Sequence, residues 1–377
     1  MVTADKKYWQ SRDLVEGVDR MPPYDFHDGF KQLKGAKNGT GDRVPVFAQL
    51  HEFAMKWNGI SGKIFYTSPK IYVKGILDMA RAFEIDAPDI GWDAYHLEAE
   101  ALGAKVFFYE NQSPALDQSK PLIENEKDLA KLKTPDPYSS GRFPFALDCL
   151  HIFKELTGVP SPITFCAPFS LAALLVGYEK LVMAIYERPD FVKKVLHFLT
   201  ETVIAPFIQV AFKEFEDCPS ADGADALASL PFLTQDMLDE FCIPYILRLK
   251  KICGRDVSVK NWWGDSYAKD LDRFWNQKLA VSPGVLEVQD PDLFKIGPER
   301  VMDFVRQNDL SMIFGVDQHL LAKGSVVEVE NRVKTYIRIG AKQKKLIIYL
   351  CNLNRDTPEK NIKAAVDTVK KSGQYNK

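Results

Sequence analysis

The chain is short of several signatures that would settle its class early. No two of its six cysteines form a C-x-x-C pair; they stand at Cys149, Cys166, Cys218, Cys242, Cys253 and Cys351. In a chain of 377 residues that spread excludes a disulfide scaffold and indicates reduced thiols in a cytoplasmic protein. Charge of one sign is not in excess either. The 49 basic and 51 acidic residues leave a net charge of -2, so nothing favours nucleic acid or a membrane surface. No uninterrupted apolar run approaches the ~18 residues of a spanning helix. The first twenty residues are polar and carry no signal-peptide apolar region. G-x-G-x-x-G after a first strand and the P-loop are both absent, which removes the support for a dinucleotide or P-loop site.

What is present is a repeating pattern. Nine short apolar runs read as strands covered on both faces. They begin at Val44, Asp89, Lys105, Pro162, Ala221, Val257, Val285, Ser311 and Lys345. Helical patterns separate them. "SPKIYVKGILDMARAFE" repeats its apolar residues near a 3.6 period. "TQDMLDEFCIPYILRLKKI" begins at a Thr234 cap and reads as one helix. "TPEKNIKAAVDTVKKSG" places Pro358 at the first helical position after a Thr357 cap. Glu179 to Phe215 is mostly helical, broken at Pro189 and Pro206, and is expected outside the main body. Strand followed by helix to the end of the chain means parallel α/β. Eight or nine strands favour a (β/α)8 TIM barrel, residues 41–377, behind an N-terminal helical extension, residues 1–40.

A barrel puts its chemistry at the C-terminal ends of the strands. That rule selects Gln49, His51 and Glu52; Asp93 and His96; Cys166; Asp225 and Ser229; Asn261, Trp263 and Asp265; Gln289 and Asp290; Asp317 and His319; Cys351 and Asn352. Each has a plain structural alternative. Asp93 suits a mouth carboxylate or a helix cap. His51, His96 and His319 suit acid–base work, or a packed or exposed loop. Asp-x-x-His at 93 and 96 is a weak metal spacing. Asp317 suits a mouth role, catalytic or structural. Asp225 is a candidate substrate contact. Asn352 is a hydrogen-bond donor to a substrate oxygen or a loop residue. Trp262 and Trp263 are core packing or a pocket wall.

Five segments resemble the uroporphyrinogen decarboxylase superfamily. They are "PDIGWDAYHLEAEALGAKV", "FCAPFSLAALLVGYEKLVMAIYERPDFVKKVLHFLTE", "LPFLTQDMLDEFCIPYILRLKK", "IFGVDQHLLAKGSVVEVENRVKTYI" and "CNLNRDTPEKNIKAAVDTV". The resemblance spans roughly residues 40 to 375 and implies a TIM barrel. It places Asp93 at or beside the superfamily's catalytic aspartate. The decarboxylases of this superfamily carry an arginine-rich "M-R-Q-A-G-R" segment. Here the matching place reads "FAQLHEFAMKWNG", with Lys56 as its only basic residue, so a polyanionic tetrapyrrole substrate is disfavoured.

The corrinoid-dependent branch implies methyl transfer. In its thiol-methylating members zinc is held by H-x-C and a last cysteine. Here Asn261 and Trp263 stand at the first two places, and only Cys351 matches. Thiolate activation by zinc is therefore not expected, and Cys351 is at best a lone metal ligand.

The resemblance then implies a third activity: O-demethylation of an aromatic methyl ether, in anaerobic metabolism, with the methyl group passing to cob(I)alamin on a partner corrinoid protein. The alternatives are a decarboxylase and a methylcobalamin:thiol methyltransferase. On this reading Asp93, His96, Asp317 and His319 are the catalytic candidates. His51, Asp225, Asn261, Trp263 and Asn352 line the substrate. A homodimer is the expected assembly if the chain is not a monomer.

Overall fold

A computed structural model describes residues 24–91, 93 and 95–375. Eight parallel strands run through them: β1 Val46–Ala48, β2 Ala87–Pro88, β3 Ile163–Cys166, β4 Ala221–Ala224, β5 Val257–Val259, β6 Val285–Gln289, β7 Ser311–Val316 and β8 Leu346–Leu350. They hydrogen-bond in two arcs, β2-β1-β8-β7-β6 and β3-β4-β5, every pair parallel. The first strand pairs with the last, Val46 against Ile348. One interior cavity receives Phe47, Ala87, Thr164, Asp222, Glu287, Ile313 and Ile347 from seven strands, and Lys260 from the residue after β5. The two arcs thus surround a common interior, and the architecture is a (β/α)8 barrel.

The strands follow the apolar runs for a physical reason. Strands inside a ring of helices are covered on their outer face too, so β7 and β8 are buried at every residue. Interior side chains fall in register. Glu287, Ile313 and Ile347 share one level; Gln289, Gly315, Tyr349 and Phe47 share the next, nearer the mouth.

The floor is closed by helix Phe26–Asn38, capped by Asp25 and ended by Gly39 in the left-handed region at φ 72°. Phe30, Leu33 and Lys37 from this helix line the interior cavity. Gly29 lies against Asp86, where an added Cβ would meet the carbonyl oxygen at 2.1 Å. Arg43 grips Asp86 at 2.6 and 2.8 Å and Asp28 at 3.0 Å, which ties the floor helix to β1 and β2. Residues 1–23 of the expected extension lie outside the described residues.

Several expectations change. The run at Lys105 is no barrel strand. Val106–Phe107 pairs antiparallel with Ala115–Leu116 in a small hairpin beside the mouth. The run at Asp89 begins after β2, which is Ala87–Pro88. The helix from Thr234 divides into Gln235–Phe241 and Ile243–Cys253, because Pro244 cannot donate into a continuous helix. The last helix starts at Glu359, with Pro358 one place before it. At Pro206 the helix continues instead of breaking: Leu199–Ile204 takes a π turn that absorbs the missing donor. Pro189–Glu214 is long and apolar enough to cross a membrane by length and composition alone, and 61% of its apolar window is buried in the protein.

Candidate active site

Two adjoining cavities occupy the barrel. The mouth cavity, about 330 Å3, is lined by Gln49, His51, Glu52, Asp93, Tyr95, His96, Ser113, Gln318 and Asn352 to Asn354. The inner cavity holds about 250 Å3. Gln49, Tyr95 and Asn352 line both, so they form the junction.

At the mouth Asp93 is buried. Its Oδ2 accepts from Arg142 Nη2 at 2.6 Å and lies 3.6 Å from His96 Nδ1. Its Oδ1 has no hydrogen-bond partner among the described residues. Arg142 is itself locked, donating Nε to Glu100 at 2.5 Å and Nη1 to the Tyr66 carbonyl at 3.3 Å. Burial works to lower the Arg142 pKa, but the Asp93 and Glu100 carboxylates overcome it and hold it above the ordinary value. Glu98, one turn on, is buried and accepts from Cys166 N at 2.9 Å, joining this loop to the end of β3. Burial pushes its carboxyl up to about 8.

His51 opens helix His51–Trp57 and lines the mouth. Glu52 beside it accepts from Ser113 N at 2.9 Å and so fastens the hairpin loop over the opening. Asn352 sits at the junction with φ 39°, a left-handed conformation that asparagine tolerates.

The inner cavity is aromatic near the mouth and charged toward the floor. Phe47 and Tyr349 pack with ring centroids 5.0 Å apart, and Tyr349 donates to Gln49 Oε1 at 2.8 Å. Tyr95 and Trp263 complete the wall. Below them Lys260 pairs with Asp222 at 3.0 Å and donates to Ser258 Oγ at 2.7 Å. Burial would raise the Asp222 carboxyl, but Lys260 and Lys37 bring it below the ordinary value. At Asp89 the attraction of Lys260, and at Glu287 that of Lys278 and Lys260, does not overcome burial. Burial pushes Asp89 up to about 6 and raises Glu287, which accepts from the Gln289 amide.

The expected site residues therefore separate. Asp93, His96, His51 and Asn352 converge at the mouth; Asn261 and Trp263 line the inner cavity. The other four do not join them. Asp317 is a helix cap, accepting from His319 N at 2.9 Å and Leu320 N at 3.3 Å. His319 is exposed and lines neither cavity. Asp225 is fully buried outside both cavities, accepting from Ser170 N and from the Trp262 indole, each at 3.0 Å. Trp262 is thus core and Trp263 is wall.

Cys351 lies in an apolar cluster with Ala36, Ile313, Ile347 and Tyr349, where burial raises its thiol pKa well above the ordinary value. No three His, Cys, Asp or Glu side chains converge as a metal site among the described residues. Among the described residues Cys351 therefore has no cluster of further zinc donors around it.

Sequence reasoning passed over Arg142, Tyr95, Lys260 and Glu287. Period 2 from Gln289 and from Ser258 points to the last two. Arg142 has no local signal, because its partner is 49 residues away.

The uroporphyrinogen decarboxylase (URO-D) profile matches residues 31–372. The chain belongs to the uroporphyrinogen decarboxylase family. This family membership covers the floor helix from residue 31, both arcs and both cavities. Among solved structures, a methyltransferase from Methanosarcina mazei is similar, with TM-score 0.75 and 18% identity, covering 93% of this chain and 99% of that one. At that identity the likeness speaks for the fold. The curated proteins include no match.

Proposed function

We propose that this member of the uroporphyrinogen decarboxylase family is a methyltransferase that takes the methyl group of an aromatic methyl ether and passes it to cob(I)alamin on a partner corrinoid protein. The observation that carries the reading is the pairing of an aromatic-walled inner cavity with a carboxylate and histidine at its mouth. Phe47, Tyr349, Tyr95 and Trp263 line the inner cavity and offer aromatic surface against which a flat ring would pack. Its methoxy group then lies at the junction, facing the opening where a corrinoid would arrive.

The step is a displacement. The electron pair of cobalt(I) attacks the methyl carbon, the carbon–oxygen bond breaks, and its electrons go to the oxygen. His96, held by Asp93, supplies the proton that turns the departing phenolate into a phenol. The products are methylcobalamin and the demethylated arene. Asp93, held by Arg142 at 2.6 Å, lies 3.6 Å from His96 Nδ1, where it orients the imidazole.

The competing activities find less support. Among the described residues no arginine lines either cavity, so the guanidinium forks that several carboxylates require are missing. A thiol acceptor would need the zinc donor set that Cys351 lacks.

Incubation with a panel of methoxyarenes and cob(I)alamin tests the proposal. Methylcobalamin and a phenol should form in equal amounts. Failure to form either across the panel would overturn it.

A further inference from the structure

Tyr95 sits at the junction of the two cavities, and its hydroxyl is held in one orientation. The phenol oxygen is 3.3 Å from Asn261 Nδ2 and 3.4 Å from Ala226 N. The amide cannot be turned around. Asp225 N, which can only donate, gives its proton to Asn261 Oδ1 at 2.8 Å, so the NH2 end faces Tyr95. Ala226 N also can only donate. Both acceptor positions of the phenol oxygen are therefore filled. Its own proton has no acceptor among the described residues.

We infer that Tyr95 donates its proton in a hydrogen bond to the oxygen of a phenolic ligand, with Asn261 as the positioning residue that aims it. The inference rests on the aromatic ether reading and names the contact made to the ether oxygen. That oxygen is a weak acceptor in the ether and a strong one in the departing phenolate. A fixed donor there gains strength as charge develops, which favours the transition state over the ground state. Burial raises the Tyr95 pKa, so the group holds its proton and acts as a donor while His96 acts as the acid. Trp263, two residues beyond Asn261, walls the same cavity and has an indole N–H without a partner among the described residues.

The test is binding, which needs no corrinoid. 4-Nitrophenol, at a pH where it is ionised, and 4-nitroanisole are titrated into the full chain, following probe absorbance. Y95F should weaken nitrophenolate binding by about tenfold or more, since a hydrogen bond to a charged oxygen is lost, and leave nitroanisole binding nearly unchanged. Retained nitroanisole binding also reports an intact fold. N261A should weaken nitrophenolate binding in the wild-type background and add little in Y95F, because the amide acts through the hydroxyl.

Equal loss for both probes, no loss in Y95F, or an N261A effect that persists in full in Y95F would overturn the inference. Selective nitrophenolate binding without methyl transfer from any ether would instead overturn the proposed reaction and leave the oxygen site standing. Methyl transfer undiminished in Y95F would do the reverse.

Discussion

Arg142 reaches Asp93 across 2.6 Å, and both side chains are nearly sealed from solvent, at 9% and 2% exposure. The carboxylate is thus kept beside His96 by a cation that also clamps Glu100 and the Tyr66 carbonyl. Removing that cation leaves a buried charge unpaired. Arg142→Met should cost about 3–5 kcal/mol of stability in chemical denaturation. Methyl transfer in the same variant should fall with it, and Arg142→Lys should recover only part, because one ammonium cannot reproduce the three-way contact.

Glu98 sets a pH dependence whose sign is fixed by its burial. Its folded pKa is raised from 4.5 to about 8, so the folded state binds more protons than the unfolded state between those values. Stability should therefore decline as pH rises from about 4.5 to about 8. Asp89 and Asp225, raised to about 6 and about 7, slope the same way. Glu98→Gln should flatten the decline in part while its amide oxygen still accepts from Cys166 N. An unchanged pH–stability profile would contradict the assignment.

Asp317 and His319 should separate cleanly from the catalytic set. Asp317→Ala removes two hydrogen bonds at the start of helix Gln318–Lys323 and should cost about 1 kcal/mol, read as a lower melting temperature. His319→Ala should change neither melting temperature nor methyl transfer. His96→Ala, by contrast, should lower the rate by about 100-fold, the usual scale for loss of a general acid.

Gly264 ends the strand-five loop at φ 89°, where an added Cβ would meet the Leu230 carbonyl oxygen at 2.1 Å. Gly264→Ala should destabilise the protein by more than about 1 kcal/mol, combining left-handed strain with a backbone clash. Denaturant midpoints of the two proteins measure it.

Cys351 lies outside both cavity walls, among apolar side chains. Cys351→Ala should leave methyl transfer unchanged, and purified protein should carry no stoichiometric zinc by elemental analysis.

The sequence by itself determined the barrel. Apolar runs of strand length, alternating with capped amphipathic helices, admit few other arrangements; seven of the nine runs contain a barrel strand and the run at Asp89 starts just past another. Strand-end logic also selected Asp93, His96, His51, Asn261, Trp263 and Asn352, which line the two cavities. It selected them because position along a strand is a local property.

Tertiary structure alone decided which way side chains turn once the strand has ended. Asp225 and Asp317 occupy mouth positions, yet nearby backbone N–H groups claimed their carboxylates, and burying those donors unpaired would have cost more. The hairpin at Val106 resembled a ninth strand because periodicity cannot say which neighbour a strand will pair with. Arg142 with Asp93, and Asn261 with Tyr95, join residues 49 and 166 positions apart. Such contacts exist only once the helices and strands between them have packed, so no local pattern could have carried them.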